Sequence, residues 1–192
     1  MEPITLLLDA FIKLADRIIN IEKLKREDKK QVFKEIIEPL FLQLQPVAES
    51  YTSLFRTAKQ SIVESPESEL WATIKKIREL REQTNLARIT VRSMAHQVAA
   101  LYKDEKISNF TDEINMFFYA SIIPLPDKKA LSRSEELIEM LERSIISGDG
   151  KTAMINHIND TLRGHEWTWA EVGKSYTAIK IDYLSAPSLI QK

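Results

Sequence analysis

The chain contains no cysteine among its 192 residues. This excludes disulfide bonds, a thiolate metal site and a cysteine nucleophile, and it gives no sign of an oxidising compartment. Glycine is scarce as well: all four glycines lie between residues 148 and 173, so the first 147 residues contain none. Because glycine supplies the left-handed positions of tight turns, this distribution predicts long helices joined by few turns.

Long hydrophobic runs and an excess of one charge are also missing. The most apolar stretch covers residues 116–123, whereas a membrane-spanning helix needs about 20 apolar residues. The first residues lack the basic start of a signal peptide, so we expect a cytoplasmic protein without a transmembrane segment. Lysine and arginine number 27 against 28 acidic residues. This balance argues against a dedicated nucleic-acid binder.

Apolar residues recur at helical and heptad spacing along the first two thirds of the chain. This pattern predicts helices over about 3–25, 28–63, 66–103 and 109–122. Pro39 and Pro46 fall on the outer face of the second helix, and the apolar pattern keeps its phase through both. We therefore predict one kinked helix there. A break between residues 39 and 46 is the alternative, because interior proline removes a helical hydrogen bond.

Only Glu64 and Ser65 separate the second and third predicted helices. Ser65 is the predicted N-cap of the third helix, with Pro66 in its first turn. Both helices carry a heptad seam, so we expect them to form a long antiparallel hairpin. The predicted fold class is therefore all-α, an elongated helical bundle around this hairpin with a smaller C-terminal helical cap.

The predicted domain division follows the prolines after the fourth helix. Pro124 and Pro126 end that helix, and residues 124–133 are typical of a linker. Residues 1–123 would form the bundle with the hairpin, and residues 134–192 a C-terminal helical subdomain. Ser132 and Glu135 have the spacing of a capping box, which predicts the start of a helix up to about residue 147. We then predict a glycine turn at 148–150, a short helix to Leu162 and a separate last helix capped by Thr168.

A stripe of basic side chains follows the third predicted helix. It consists of Arg78, Arg81, Arg88, Arg92 and His96, which share one face because they follow one another at steps of three, seven, four and four residues. Such a stripe could bind an anionic ligand or partner. The alternative is that carboxylates on the same helix and on the helix after residue 134 neutralise it.

Two short patterns resemble motifs of helical enzymes. Arg92 and His96 resemble the Arg–His pair of HEPN-type ribonucleases, although three residues lie between them where that family has four to six. Glu135, Glu139 and Glu142 resemble the first half of the acidic Mg²⁺ motif of MazG-type nucleotide pyrophosphohydrolases. The second Glu-x-x-Asp helix of that family is not found, so a metal site at these glutamates is a weak expectation, and no metal or cofactor is predicted.

Polar residues near Gly164 form a second weak metal candidate. His157, Asp160, His165 and Glu166 lie within ten residues of one another. Zinc-binding helices of the zincin type pair two histidines four residues apart around a glutamate. That spacing is missing here, so we expect these residues to have structural roles.

Residues 168–184 resemble the opening of a helix-turn-helix, with a Trp-Ala-Glu-Val-Gly start. The turn glycine expected near Thr177 is absent, and the second helix would offer only Lys180 beside Asp182. Base reading needs Arg, Lys, Asn or Gln at the start of a recognition helix. DNA binding through these C-terminal residues therefore stays a third possibility.

No catalytic set is complete in the sequence, while the two heptad seams carry more apolar surface than a two-helix hairpin can bury. The leading functional hypothesis is a non-catalytic protein-interaction or scaffold subunit of a homo-oligomer or larger assembly. Its partner would be another protein or a second copy of the chain. The alternative is a metal-dependent or ribonuclease-like helical enzyme acting on nucleotides or RNA.

Overall fold

The computed structural model describes residues 29–119 and 131–185, together with the isolated residues Lys13 and Asp16. Its regular elements are helices: α1 (Lys29–Val32), a π-helical turn (Phe33–Ile37), α2 (Glu38–Glu64), a 3₁₀ turn (Glu67–Glu69), α3 (Leu70–Leu101), α4 (Glu105–Phe118), α5 (Arg133–Ser147) and α6 (Gly150–Ser185). Across the two described ranges, β-structure is limited to one isolated bridge, between Tyr119 and Ser132. The predicted all-α class is confirmed.

Helical structure continues without a break from Lys29 to Glu64, through both prolines. The π-helical turn ends two residues before Pro39 and contains Glu35, the residue whose carbonyl a proline ring at position 39 would crowd in an α-helix. The wider π turn gives that ring room. Pro46 lies on the exposed side inside α2. The prediction of one continuous helix is therefore correct.

The heptad positions of α2 and α3 mostly form the core. Buried positions on the π-helical turn and α2 include Ile37, Leu40, Leu44, Val47, Tyr51, Leu54 and Ala58, and those on α3 include Leu70, Thr73, Ile77, Ala87, Val91, Met94 and Val98. Leu80 is an exception, because its side chain is exposed while the neighbouring Arg81 is buried. The heptad pattern does not predict burial correctly at this turn, because the Arg81 guanidinium contacts carboxylates that neutralise its charge.

The segment between α2 and α3 differs in detail from the prediction. Ser65 does not cap the following helix; its hydroxyl donates to the carbonyl of Ser61 at 2.7 Å and lies 2.6 Å from the Thr73 hydroxyl. It therefore closes the end of α2. The 3₁₀ turn begins after Pro66, which makes no side-chain cap. The antiparallel arrangement of α2 and α3 as a long hairpin stays a prediction.

Helix α4 begins four residues earlier than predicted, at Glu105, because the Asp104 carboxylate accepts hydrogen bonds from the backbone N–H groups of Lys106 and Ile107. It ends at Phe118, before the predicted residue 122. Helix α5 begins with the predicted capping box of Ser132 and Glu135.

Helix α5 ends at the predicted glycine turn. Gly148 closes the helix in the left-handed conformation at φ 72°, and Gly150 also has a positive φ. Two glycines therefore supply the backbone conformations that this turn requires.

The prediction of two separate helices after Gly150 is wrong, because α6 runs unbroken to Ser185. Thr168 does not act as an N-cap. Its hydroxyl donates within the helix, to the carbonyls of Gly164 and His165, each at 3.0 Å. Gly164 serves close packing instead of a turn: a Cβ placed there would lie 3.0 Å from Nη1 of Arg133.

The described residues divide into two compact units. The first unit contains residues 29–47, 87–115 and 170–185, and the second contains residues 48–86, 116–119 and 131–169. In the first unit, the Tyr176 ring stacks on Phe41 at 3.9 Å between centroids. Asp182 pairs with Lys29 and Lys106, each at 3.2 Å, and both ammonium groups lower the pKa of this carboxylate.

Several predictions fall outside the described residues. These are the helix over 3–25, the start of the next helix at residue 28, and most of the linker over 124–133. The division into domains at this linker stays a prediction.

Candidate functional site

Two ion pairs fix the direction of α5 against α3 in the second unit. Arg81 contacts Glu135 at 2.6 Å, and Arg78 pairs with Glu142. The earlier residue of α3 thus contacts the later residue of α5. The two helices are therefore antiparallel, and the start of α3 lies beside the end of α5.

The ends of the other two helices in this unit lie at the same place. The Lys151 ammonium, at the start of α6, donates to the carbonyl of Val63 near the end of α2 at 3.1 Å. Ser65 and Thr73 join the end of α2 to the start of α3 through their hydroxyls at 2.6 Å. Four helix ends therefore come together at one end of the second unit.

Three large apolar side chains are exposed at this end: Val63 (51%), Trp71 (51%) and Ile146 (76%). Trp71 lies two turns before Arg78 on α3, and Ile146 one turn after Glu142 on α5, so both extend the faces that the ion pair joins. We call Val63, Trp71 and Ile146 the Trp71 surface. An exposed tryptophan among aliphatic side chains is typical of a binding surface.

The charges around the Trp71 surface are of both signs. Glu64, Glu67, Glu69 and Asp149 are all exposed in the segments that adjoin it, and so are Lys75 and Lys76. Lys151 lies in the same segments, and Arg143 lies three residues before Ile146 on α5. The carboxylates therefore do not outnumber the basic groups at this end of the unit.

A histidine is buried in the interior of the second unit. His165 is 1% exposed, and its ring lies among aromatic rings, with centroid distances of 4.5 Å to Phe117, 5.3 Å to Phe55 and 5.9 Å to Tyr51. Its Nε2 lies 3.4 Å from the carbonyl of Ala48. Its Nδ1 has no hydrogen-bond partner among the described residues.

Burial lowers the pKa of His165 to about 4, against a smaller opposing effect of the Ala48 carbonyl, and the nearby Arg133 guanidinium lowers it further. The ring is therefore neutral at pH 7. Nε2 carries the proton that faces Ala48, because a carbonyl oxygen can only accept. This neutral ring packs against the aromatic rings of Phe117, Phe55 and Tyr51.

Arg133 holds the end of α4 in the second unit. Its guanidinium donates to the carbonyls of Phe117 and Met116, each at 3.2 Å. These carbonyls lie in the last turn of α4. The Arg133 guanidinium also lies close to α6, with Nη1 3.0 Å from the position that a Cβ on Gly164 would occupy.

The predicted arginine stripe is only partly a solvent-facing stripe. Arg81 is buried and contacts Glu82 and Glu135, and Arg78 is exposed and pairs with Glu142. Both belong to the second unit, where acidic groups neutralise them. In the first unit, Arg88 is half-buried, while Arg92 and His96 are exposed. Anion binding by these last residues stays a prediction.

The predicted acidic metal motif is engaged in other contacts. Glu135 closes the capping box and binds Arg81, Glu139 pairs with Arg143 at 2.9 Å, and Glu142 pairs with Arg78. Within residues 29–119 and 131–185, no group of three or more histidine and carboxylate side chains is placed to hold a metal ion.

The helix-turn-helix geometry expected at residues 168–184 is contradicted, because these residues lie inside the single helix α6. Lys180 is exposed on that helix, and Asp182 beside it binds Lys29 and Lys106. DNA binding stays a prediction, but residues 168–184 do not form the turn on which it was based.

Sequence reasoning missed three of the residues that matter here. Trp71 follows the buried Leu70 and lies off the heptad seam. This position in the sequence already indicated that its side chain would be exposed. His165 was noticed only as a weak metal candidate. The contact between Arg133 and α4 could not be foreseen, because it joins residues 16 positions apart in the sequence.

Comparison of the chain with protein-family models, with curated proteins and with solved structures finds no match. In the described part of the chain, no helix has the length and apolar character needed to cross a membrane.

Proposed function

We propose that this chain is a non-catalytic helical subunit that holds other protein chains, either copies of itself or different proteins. The observation that supports this most is the number of large apolar side chains left exposed on well-formed helices. They are Leu42, Val63, Trp71, Leu80, Leu86, Ile89, Ile146, Trp167 and Ile181. Exposed apolar side chains that include two tryptophans are typical of surfaces that become buried on association.

The polar residues support the same proposal. The buried charged group Arg81 and the half-buried Arg133 are occupied with carboxylates and helix carbonyls. His165 is neutral and enclosed by aromatic rings. These groups therefore contribute to packing and helix ends in the described residues, while the apolar side chains face outward.

Sedimentation velocity at about 1–100 µM tests the self-assembly part of this proposal, since interfaces of moderate size dissociate in the micromolar range. We expect the mass to rise above the 22.2 kDa of one chain as the concentration increases. A compact monomer over the whole range would contradict self-assembly.

A further inference from the structure

We propose that Asp149 is a site of spontaneous backbone modification, at which the chain converts aspartate to isoaspartate. This inference goes beyond the proposed function and does not depend on it. Asp149 is the one aspartate or asparagine of the sequence that a glycine follows. Its place between α5 and α6 supplies the steric access and the free groups that the reaction requires.

The reaction has two steps and needs no co-reactant other than water. In the first step, the backbone nitrogen of Gly150 attacks Cγ of Asp149, and a C–N bond forms. The carboxyl hydroxyl leaves with the amide proton as water, which gives a cyclic imide. In the second step, water opens this imide. Attack at Cγ restores aspartate, whereas attack at the backbone carbonyl carbon of Asp149 leaves the chain linked through Cγ and frees the other carbon as a carboxylate.

The backbone nitrogen of Gly150 is accessible to this attack. A side chain on the residue after aspartate would crowd the imide ring, and glycine has none. Apart from its own helix and its chain neighbours, no heavy atom of the described residues lies within 4 Å of the position that a Cβ on Gly150 would take. Gly150 is also the first residue of α6, where a backbone N–H has no acceptor within the helix.

The Asp149 carboxyl group is equally accessible. Its side chain is exposed and makes no ion pair or hydrogen bond with the described residues. Other aspartates are engaged: Asp104 accepts two backbone N–H groups, Asp160 pairs with Arg163, and Asp182 pairs with two lysines. A side chain without such contacts can rotate its Cγ toward the next backbone nitrogen, and this proximity makes the intramolecular attack effective.

The modification changes the junction between α5 and α6. Isoaspartate lengthens the backbone by one carbon atom at residue 149. On one side of that carbon, the Asp149 backbone N–H donates to the carbonyl of Ser144 at 3.0 Å. On the other side, the Lys151 ammonium donates to the carbonyl of Val63 at 3.1 Å. The two contacts fit the present spacing, so the longer backbone should weaken the packing of these helix ends.

Incubation of the full-length chain at neutral pH over several weeks tests the proposal. Trypsin then releases residues 144–151 as one peptide, because Arg143 and Lys151 are its cleavage sites, and Asp149 is the one aspartate in it. We expect a second peptide of the same mass, separable by reversed-phase chromatography, to accumulate with time. Protein isoaspartate methyltransferase should label this second peptide and not the first.

Two variants serve as controls. Asp149→Glu keeps the charge, but its longer side chain forms a cyclic imide far more slowly, so it should show no second peptide. Asp149→Asn should convert faster than the wild type through the same imide, because ammonia is then the leaving group. Far-UV circular dichroism checks that both variants are folded.

The proposal would be overturned if the wild type formed no second peptide under conditions in which Asp149→Asn converts. Conversion of Asp104 or Asp160 at the same rate would also overturn it, because the reaction would then reflect unfolding and not this turn. Urea unfolding tests the effect on the junction: the incubated wild type should unfold at a lower urea concentration than a fresh sample, and Asp149→Glu should not change. An equal midpoint in the incubated and fresh wild type would contradict the weakened packing.

Discussion

Acid should destabilise the second unit through His165. Burial holds the pKa of the folded ring at about 4, whereas the ordinary value is 6.5. At a pH between these two pKa values, His165 binds a proton in the unfolded chain but not in the folded chain. The contribution of the neutral His165 ring to the free energy of unfolding is therefore complete above pH 6.5 and is lost as the pH falls toward 4.

The size of the effect follows from the two pKa values. The complete loss amounts to about 3 kcal/mol, from the difference between the two values at 1.36 kcal/mol per pH unit. At pH 6 the loss is about 0.8 kcal/mol, and at pH 5 about 2 kcal/mol. A loss of this size is a large fraction of the stability of a small domain.

Urea unfolding at pH 7, 6 and 5 measures this loss in the wild type and in His165→Phe. Tryptophan emission reports the second unit, because Trp71, Trp167 and Trp169 all belong to it. Phenylalanine suits the aromatic surroundings. The Ala48 carbonyl would keep its bond from the Thr52 hydroxyl at 3.0 Å. Other titrating groups are the same in both proteins, so the difference between their pH profiles isolates the histidine.

We expect the wild type to lose about 2 kcal/mol more than His165→Phe between pH 7 and pH 5. His96→Phe, at an exposed position, serves as the control and should follow the wild type. Parallel loss of stability in the wild type and His165→Phe would refute the reasoning.

Three further substitutions test contacts described above, each by urea unfolding at pH 7. Arg133→Met should lower the free energy of unfolding by about 2–3 kcal/mol, because two helix-end carbonyls lose a charged donor. A loss below about 0.5 kcal/mol, the effect of an ordinary surface substitution, would contradict this role. Arg81→Met should lower the free energy of unfolding by about 1–2 kcal/mol, because Glu135 loses its cation. Water reaches the Glu135 carboxylate, and this limits the loss. A gain in stability would contradict this prediction. Pro46→Ala should stabilise by about 1 kcal/mol or more, since an exposed interior position of α2 regains a backbone donor; destabilisation would show that the proline is needed there.

The sequence predicted the helices well where apolar spacing alone decides the outcome. Ile37, Leu44 and Tyr51 are buried as their heptad spacing predicts, and the unshifted phase correctly indicated a helix through Pro39 and Pro46. The capping box of α5 was also readable, because it depends on side chains only three residues apart.

Predictions failed where a distant contact overrides a local signal. Gly164 and Thr168 together are typical of a helix end and a new start, yet α6 continues through both. Gly164 lies against Arg133 from another helix, a contact that only the fold creates. The burial of Arg81 has the same kind of cause, because only the fold brings Glu135 to it.

The candidate site was the least predictable part. The arginine stripe was visible in the sequence, and the sequence also offered the alternative that acidic residues neutralise it, which happens at Arg78 and Arg81. The Trp71 surface depends on four helix ends meeting at one place, and spacing along one helix carries no information about this.

The central claim is that exposed apolar side chains hold partner chains. Sedimentation equilibrium of the wild type and of Ile89→Gln/Ile181→Gln tests it most directly, with Ser93→Gln/Lys180→Gln as a control at exposed polar positions. We predict that the isoleucine variant associates at least about tenfold more weakly than the wild type, because each buried isoleucine contributes about 1 kcal/mol or more. Equal association of the wild type and the isoleucine variant would contradict the account, and a monomeric wild type would contradict its self-assembly part.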